Sequence, residues 1–114
     1  MYINLNRYRI NSYNNPKAVA FEGSYDKLLA KIKNCNNFRK LAIRYEEAKK
    51  VYENLGYRVE VKSGSHSIVT MPDGFAFPLV LPHGSNKVIS ATDVKRLFFA
   101  INGDIVSLKN MSKI

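Results

Sequence analysis

Two strand patterns meet at the turn Lys62-Ser63-Gly64-Ser65-His66. Apolar and polar side chains alternate over residues 57–62 before the turn and again over residues 66–71 after it. Because a period of two is typical of a half-buried strand, the two segments are predicted to pair as a hairpin. The chain then reverses at Pro72-Asp73-Gly74 into a third strand, residues 75–81. A proline within this strand predicts an edge position, since proline has no N–H to donate to a neighbour.

The histidine of the turn, His66, is the side chain that this arrangement favours for chemistry. Imidazole exchanges protons near neutral pH, and the neighbouring Gly64 lets a ligand backbone come close. If Ile68 faces the core, the alternation of the strand places His66 on the same buried side. We therefore expect the turn or a β-bulge to re-aim His66 outwards. The alternative is a histidine that only makes a hydrogen bond within its turn.

Helices are predicted on both sides of the three strands. Residues 45–55 keep helical spacing of apolar side chains, with acidic residues in the first turn and Gly56 as the stop. A second helix is predicted to open with a capping box at Ser90 and Asp93 and to end at Asn102-Gly103. Its apolar stripe faces the core, and Lys95 and Arg96 are expected on its solvent-exposed side.

The two ends of the chain carry weaker signals. Residues 1–23 are polar and Asn-rich, and we predict an arm there, followed by a helix that Ser24 caps and that reaches Asn34. Residues 36–44 are predicted to form a connector with one helical turn, and residues 104–114 a C-terminal tail. The expected fold is α+β, a three-stranded antiparallel sheet under helices, with residues 24–103 forming a single domain.

The charge balance limits the choice of partners. In 114 residues there are 18 Lys and Arg against 9 Asp and Glu, a net charge of +9. Such an excess suggests a polyanionic partner, of which nucleic acid is the first candidate. A basic surface that is merely solvated and a basic face that serves an acidic protein are the alternatives.

A cytoplasmic location is expected from three further features. Cys35 is the only cysteine, so an internal disulfide is excluded and a reducing compartment is the default. The positive charge of the first residues is followed by no long apolar run, so we expect no signal peptide. No stretch reaches the roughly 18 apolar residues that a membrane span requires.

Five short motifs, taken in their order and spacing over about residues 44–103, resemble the HicA family of toxin–antitoxin ribonucleases. They are Leu55-Gly56-Tyr57, then Gly64-Ser65-His66-Ser67-Ile68-Val69, then Pro72-Asp73-Gly74, then Leu81-Pro82-His83-Gly84, and the helix start Ser90-Ala91-Thr92-Asp93-Val94. The resemblance implies a fold similar to the double-stranded-RNA-binding domain, with the order α-β-β-β-α, here preceded by an extra helix. It also implies an mRNA-cleaving toxin that a HicB-like antitoxin neutralises, and it makes His66 the active histidine.

The sequence departs from the family pattern at three places. Val69 stands where the family often has an aromatic residue, and Ser67 follows His66 where a second histidine is common. The chain is also longer at both ends than compact members, which leaves a homo-oligomer open.

The expected chemistry is metal-independent RNA cleavage, without a cofactor. His66 is the general acid or base, which is worth roughly 10²- to 10⁴-fold in rate. RNA contacts are expected from Lys62, Lys87 and Arg58 as phosphate-binding cations, from Ser65 and the backbone of Gly64 as hydrogen-bonding groups, and from His83. For His83 two interpretations stay open, a second proton carrier and a solvent-exposed loop residue. The alternative function is a non-catalytic RNA-binding module with the same fold.

Overall fold

The computed structural model describes the backbone of residues 16–82 and 87–112 and the side chains of residues 24–82 and 87–112. The chain divides between residues 31 and 32 into two compact units. Helix α1, Pro16–Lys33, makes up the described part of the first unit and ends in the second. The predicted start at Ser24 is wrong, because Ser24 lies inside this helix. Proline suits a first helical turn, where its fixed φ is already helical and its missing N–H needs no acceptor.

The second unit contains a three-stranded antiparallel sheet with the strand order β1-β2-β3. Its elements are a 3₁₀-helix at Phe38–Lys40, α2 at Tyr45–Asn54, β1 at Arg58–Ser63, β2 at His66–Thr70, β3 at Ala76–Val80, α3 at Ala91–Ile101 and α4 at Ile105–Ser112. The predicted α+β class with a three-stranded antiparallel sheet is confirmed, and the described residues form four α-helices. Strand β3 lies at an edge, as its proline predicts.

Local signals fix the ends of the two central helices as predicted. The Glu47 side chain accepts a hydrogen bond from the Arg44 N–H at the start of α2, and Gly56 follows its end with φ +92°. Ser90 Oγ accepts from the Asp93 N–H, 3.2 Å away, at the start of α3. Gly103 follows the end of α3 with φ +73°. A positive φ costs glycine nothing, which explains both stops.

One face of the sheet forms the core with the helices. Ser67 and Val69 of β2 are buried, and so are their β3 partners Leu79 and Phe77. The helices contribute fully buried side chains to the same core: Ala48, Val51 and Tyr52 from α2, and Val94 and Leu97 from α3. The alternate strand residues point to the other face, which we call the open face.

Residues 104–114, predicted to be a tail, contain α4. Leu108 of this helix is fully buried, and Lys109 Nζ lies 2.5 Å from Asp73 Oδ2 in the turn between β2 and β3. Arg96, predicted to face solvent, is only 13% exposed and donates a hydrogen bond to Ser112 Oγ in α4. A helix this short owes its stability to tertiary contacts rather than to its own sequence, which is why the local pattern did not indicate it.

Candidate functional site

His66 is the first residue of β2, and its side chain is exposed on the open face. The condition under which we expected the turn or a bulge to re-aim His66, namely that Ile68 faces the core, is not met, because Ser67 and Val69 take the buried face with 1% and 0% exposure. His66 therefore reaches the open face by the simple alternation of the strand. No re-aiming is needed, and the irregularity in pairing falls in β1, between Val61 and Ser63, opposite His66.

The hydrogen bonds of Ser67 explain why this residue of β2 faces the core. The Tyr45 hydroxyl donates to Ser67 Oγ over 3.1 Å, and Ser67 Oγ donates to the carbonyl oxygen of Leu79. A buried hydroxyl is tolerated when both its donor and its acceptor are used, so serine is stable at this core position. The same bonds tie the start of α2 to the strand immediately after His66.

The turn that precedes His66 is tight and exposed at its tip. Gly64 and Ser65 form a two-residue loop between β1 and β2, and Gly64 has φ +54°. Glycine is favoured at the first position of such a loop because other residues are strained at positive φ. The Ser65 carbonyl accepts a hydrogen bond from the Leu81 N–H over 2.8 Å, which joins the turn to the end of β3. Apart from Gly64 and its two chain neighbours, no atom of the described residues lies within 4 Å of where a Gly64 side chain would begin, so a ligand can approach the backbone there.

Lys62 lies beside this turn, as the sequence predicts, but it is not an isolated cation. Its Nζ is 3.4 Å from Glu60 Oε1, and both side chains are about half exposed. Exposed ion pairs contribute little free energy, so a phosphate can compete with the carboxylate for this lysine. Glu60, which sequence reasoning did not select, pairs with Ile68 and so lies on the open face.

Arg58 shares the open face with His66 but lies at the other end of the sheet. It pairs with Thr70, four residues along β2 from His66, so the two positions are about 13 Å apart along the strand. Arg58 lines a small cleft of about 220 Å³ together with Met71 and Pro72. The structure does not bring Arg58 within contact of the imidazole.

Lys87 is attached through its backbone to the start of α2. Its carbonyl accepts a hydrogen bond from the Tyr45 N–H over 2.8 Å, at the start of α2, and its own φ is +52°. The Tyr45 side chain reaches the sheet at Ser67 on the buried face, whereas His66 lies on the open face, so no contact of the described residues joins Lys87 to His66. His83 lies outside the described residues.

Val80 is the neighbour of His66 that sequence reasoning missed. It pairs with His66 across β2 and β3 and is 46% exposed. Pro78 pairs with Ile68 in the same way and is exposed too. The sequence of β3 is apolar throughout, so it carries no alternation that would separate its exposed side chains from its buried ones.

The start of α3 is attached to the strand end opposite His66. The Val80 N–H donates to Asp93 Oδ2 over 3.3 Å, and Arg96 Nη1 lies 2.9 Å from Asp93 Oδ1. Burial raises the pKa of the Asp93 carboxyl, while the Val80 N–H and the Arg96 guanidinium oppose that rise. Because β3 is an edge strand, the Val80 N–H that points away from β2 bonds to Asp93 instead of to another strand. This bond holds the end of β3, next to His66, against the start of α3.

Comparison with known proteins adds no support to the resemblance to the HicA family, which depends on the sequence motifs alone. No protein-family model matches the chain, and no curated protein or solved structure matches it. In the described part of the chain, none of the helices combines the length and apolar character that crossing a bilayer requires. The described side chains also include no group of three or more His, Cys, Asp or Glu residues that could hold a metal ion.

Proposed function

We propose that the protein is a HicA-type toxin, a metal-independent endoribonuclease that cleaves mRNA in the cytoplasm with His66 as general acid or base. The observation that carries the proposal is the exposed imidazole at the tip of a β-hairpin, with the Lys62 cation beside the same turn. The order α2-β1-β2-β3-α3 supports a fold like the double-stranded-RNA-binding domain. A HicB-like antitoxin is the proposed partner, and it would inhibit the enzyme by covering His66.

The chemistry requires two proton transfers around one phosphate. A base removes the proton of the 2′-hydroxyl, and the 2′-oxygen then attacks the adjacent phosphorus. The bond from phosphorus to the 5′-oxygen breaks, and that oxygen takes a proton, which leaves a 2′,3′-cyclic phosphate and a 5′-hydroxyl. An imidazole can serve either step, because it accepts and donates protons near neutral pH.

Lys62 and Gly64, which lie near His66 in the hairpin, each have a defined part in this scheme. Lys62 stabilises the negative charge of the phosphate, and the exposed Gly64 backbone lets that phosphate approach. His83, the other histidine of the chain, is the proposed carrier of the second proton.

The test is RNA cleavage by purified wild type and His66→Ala in the presence of a metal chelator. We expect the wild type to leave 2′,3′-cyclic phosphate ends and the variant to lose about 10²-fold or more in rate, with RNA affinity retained. Thr70→Ala is the matched control, since it alters the same face of the same strand four residues away. Equal cleavage by wild type and His66→Ala would refute the proposed role of His66.

Induced expression extends the same test to cells. Wild type should arrest growth and deplete mRNA, whereas His66→Ala should do neither. A folded wild type that is harmless and leaves mRNA intact would refute the active-toxin proposal.

A non-catalytic RNA-binding module is the second candidate, and one observation favours it. Of the two cations of β1, Arg58 and Lys62, Arg58 pairs with Thr70 and lies too far from His66 to act on the same phosphate, yet it can bind another phosphate of the RNA. Binding needs the cations alone, whereas cleavage needs two proton transfers. Intact RNA after incubation with excess wild-type protein would select this candidate.

A further inference from the structure

The open face is apolar on the side of His66 that faces β3. The Leu81 N–H bonds to the Ser65 carbonyl and the Met71 N–H bonds to the Phe75 carbonyl, so the odd-numbered residues of β2 make the hydrogen bonds to β3. His66 and Val80 therefore form a non-hydrogen-bonded pair, with Cα atoms about 4.5 Å apart and side chains in their closest arrangement. Val80 is thus adjacent to the imidazole.

The apolar surface continues beyond Val80. Pro78 and Ile68 form the next pair along the same two strands, with Pro78 exposed and Ile68 half-buried. We call Val80, Pro78 and Ile68 the apolar ledge. On the opposite side of His66, its partner in β1 is Ser63, and the charged side chains of β1 follow along the same face: Arg58 and Glu60 pair with Thr70 and Ile68, and Lys62 Nζ lies 3.4 Å from Glu60 Oε1. The imidazole therefore stands between a charged strip and an apolar strip.

A single RNA strand has the chemistry to match both strips. Its phosphates require cations, and its bases offer flat, weakly polar faces that pack on apolar side chains. The bases of a duplex are stacked and paired, so they cannot lie on a sheet surface. The net charge of +9 suits a polyanionic occupant, and the exposed apolar side chains of β3 beside His66 add a surface for bases that an acidic peptide would not need.

We propose that the apolar ledge is a base-binding subsite. It holds the unpaired base beside the scissile bond, while the phosphate of that bond lies over His66 towards Lys62. The assignment of the scissile bond rests on the proposed ribonuclease function, but the binding of an unpaired base does not. Aliphatic side chains accept the face of any base, so the ledge selects single strands without selecting a sequence.

The experiment measures binding in the His66→Ala background, where RNA is not cleaved. The probes are a fluorescent single-stranded RNA and the same strand annealed to its complement. Val80→Tyr enlarges the stacking surface and should tighten single-strand binding about fivefold, whereas Val80→Ser should weaken it about threefold. Duplex binding should not change with either variant. A gain of affinity cannot arise from a damaged fold.

Val61 provides the matched controls. It is a valine of β1, 57% exposed, and it pairs with the buried Ser67, so it lies on the other face of the sheet from the ledge. Val61→Tyr and Val61→Ser should leave single-strand binding unchanged, and thermal unfolding of each variant verifies its fold. Equal effects at positions 61 and 80, or equal effects on single strands and duplex, would overturn the proposal.

The proposed base-binding role of the apolar ledge and the proposed ribonuclease activity can be refuted independently. If the wild type cleaves RNA while the Val80 variants bind like the Val61 variants, the ledge is refuted and the ribonuclease stands. If the wild type does not cleave but Val80→Tyr tightens single-strand binding, the ribonuclease is refuted and the ledge stands.

Discussion

Tyr52 and Tyr45 show how differently two tyrosines of one helix serve the fold. Both are buried in α2, but only the Tyr45 hydroxyl has a hydrogen-bond partner among the described residues. The Tyr52 ring stacks on Tyr57 with centroids 5.5 Å apart and meets Phe77 edge-on at 5.7 Å. Burial raises the pKa of the Tyr52 hydroxyl far above its ordinary value, and the Asp93 carboxylate raises it further, so the group stays neutral. Its ring therefore stabilises the core while its oxygen costs free energy.

We expect Tyr52→Phe to preserve or increase the free energy of unfolding, by up to about 1 kcal/mol, because it removes an unpaired buried hydroxyl and keeps the ring. Tyr45→Phe is the matched comparison and should lower the free energy of unfolding by about 1 kcal/mol or more, since it leaves Ser67 without its donor. Urea unfolding measures both. A larger loss for Tyr52→Phe than for Tyr45→Phe would mean that the Tyr52 hydroxyl has a partner in solution.

At the scale of the elements, α4 is attached to the turn between β2 and β3. Lys109 pairs with Asp73 and lies 5.4 Å from the centre of the Phe75 ring. Asp73 also accepts a hydrogen bond from the Phe75 N–H over 3.0 Å. The hydrogen bond from Lys109, followed by that from the Phe75 N–H, lowers the pKa of the Asp73 carboxyl below its ordinary 3.8. One carboxylate thus stabilises the turn and holds the last helix.

This pKa predicts the pH dependence of that attachment. A carboxyl whose pKa is lowered in the folded state stabilises the fold above its ordinary pKa and loses this effect as the pH falls through the folded pKa. Asp73→Asn should therefore lower the urea midpoint at pH 7, and its difference from wild type should shrink as the pH falls below 3.8. The double variant with Lys109→Ala should add little to the single change. A difference that is constant down to pH about 2 would contradict the ion pair.

At the scale of the whole molecule, the net charge of +9 predicts binding of RNA that weakens as salt rises. The cations on the open face are the ones that we expect to bind the phosphates of the RNA. Arg58→Ala and Lys62→Ala should each reduce the slope of log affinity against log salt by about 0.7 for a single strand, because each removes one phosphate contact. Lys95→Ala is the control, an exposed lysine of α3, the helix that packs against the buried face. An equal change of slope for Lys95→Ala would place the RNA on the helical side instead.

The sequence by itself determined the elements whose signals are local. Gly56 and Gly103 stop their helices, Ser90 caps α3, and Gly64 allows the hairpin that presents His66, because each acts on a backbone within a few residues of itself. These signals were sufficient to predict α2, the three strands and α3.

Only the tertiary structure decided which side chains meet. Ser67 rather than Ile68 faces the core because its hydroxyl makes hydrogen bonds with Tyr45 and Leu79, which are 22 and 12 residues away in sequence. Helix α4 is stabilised by the burial of Leu108 and by the ion pair of Lys109 with Asp73. Val80 lies next to His66, while Arg58 does not, because strand pairing fixes these separations. Contacts between residues far apart in sequence depend on the packing of the whole chain, which no local pattern encodes.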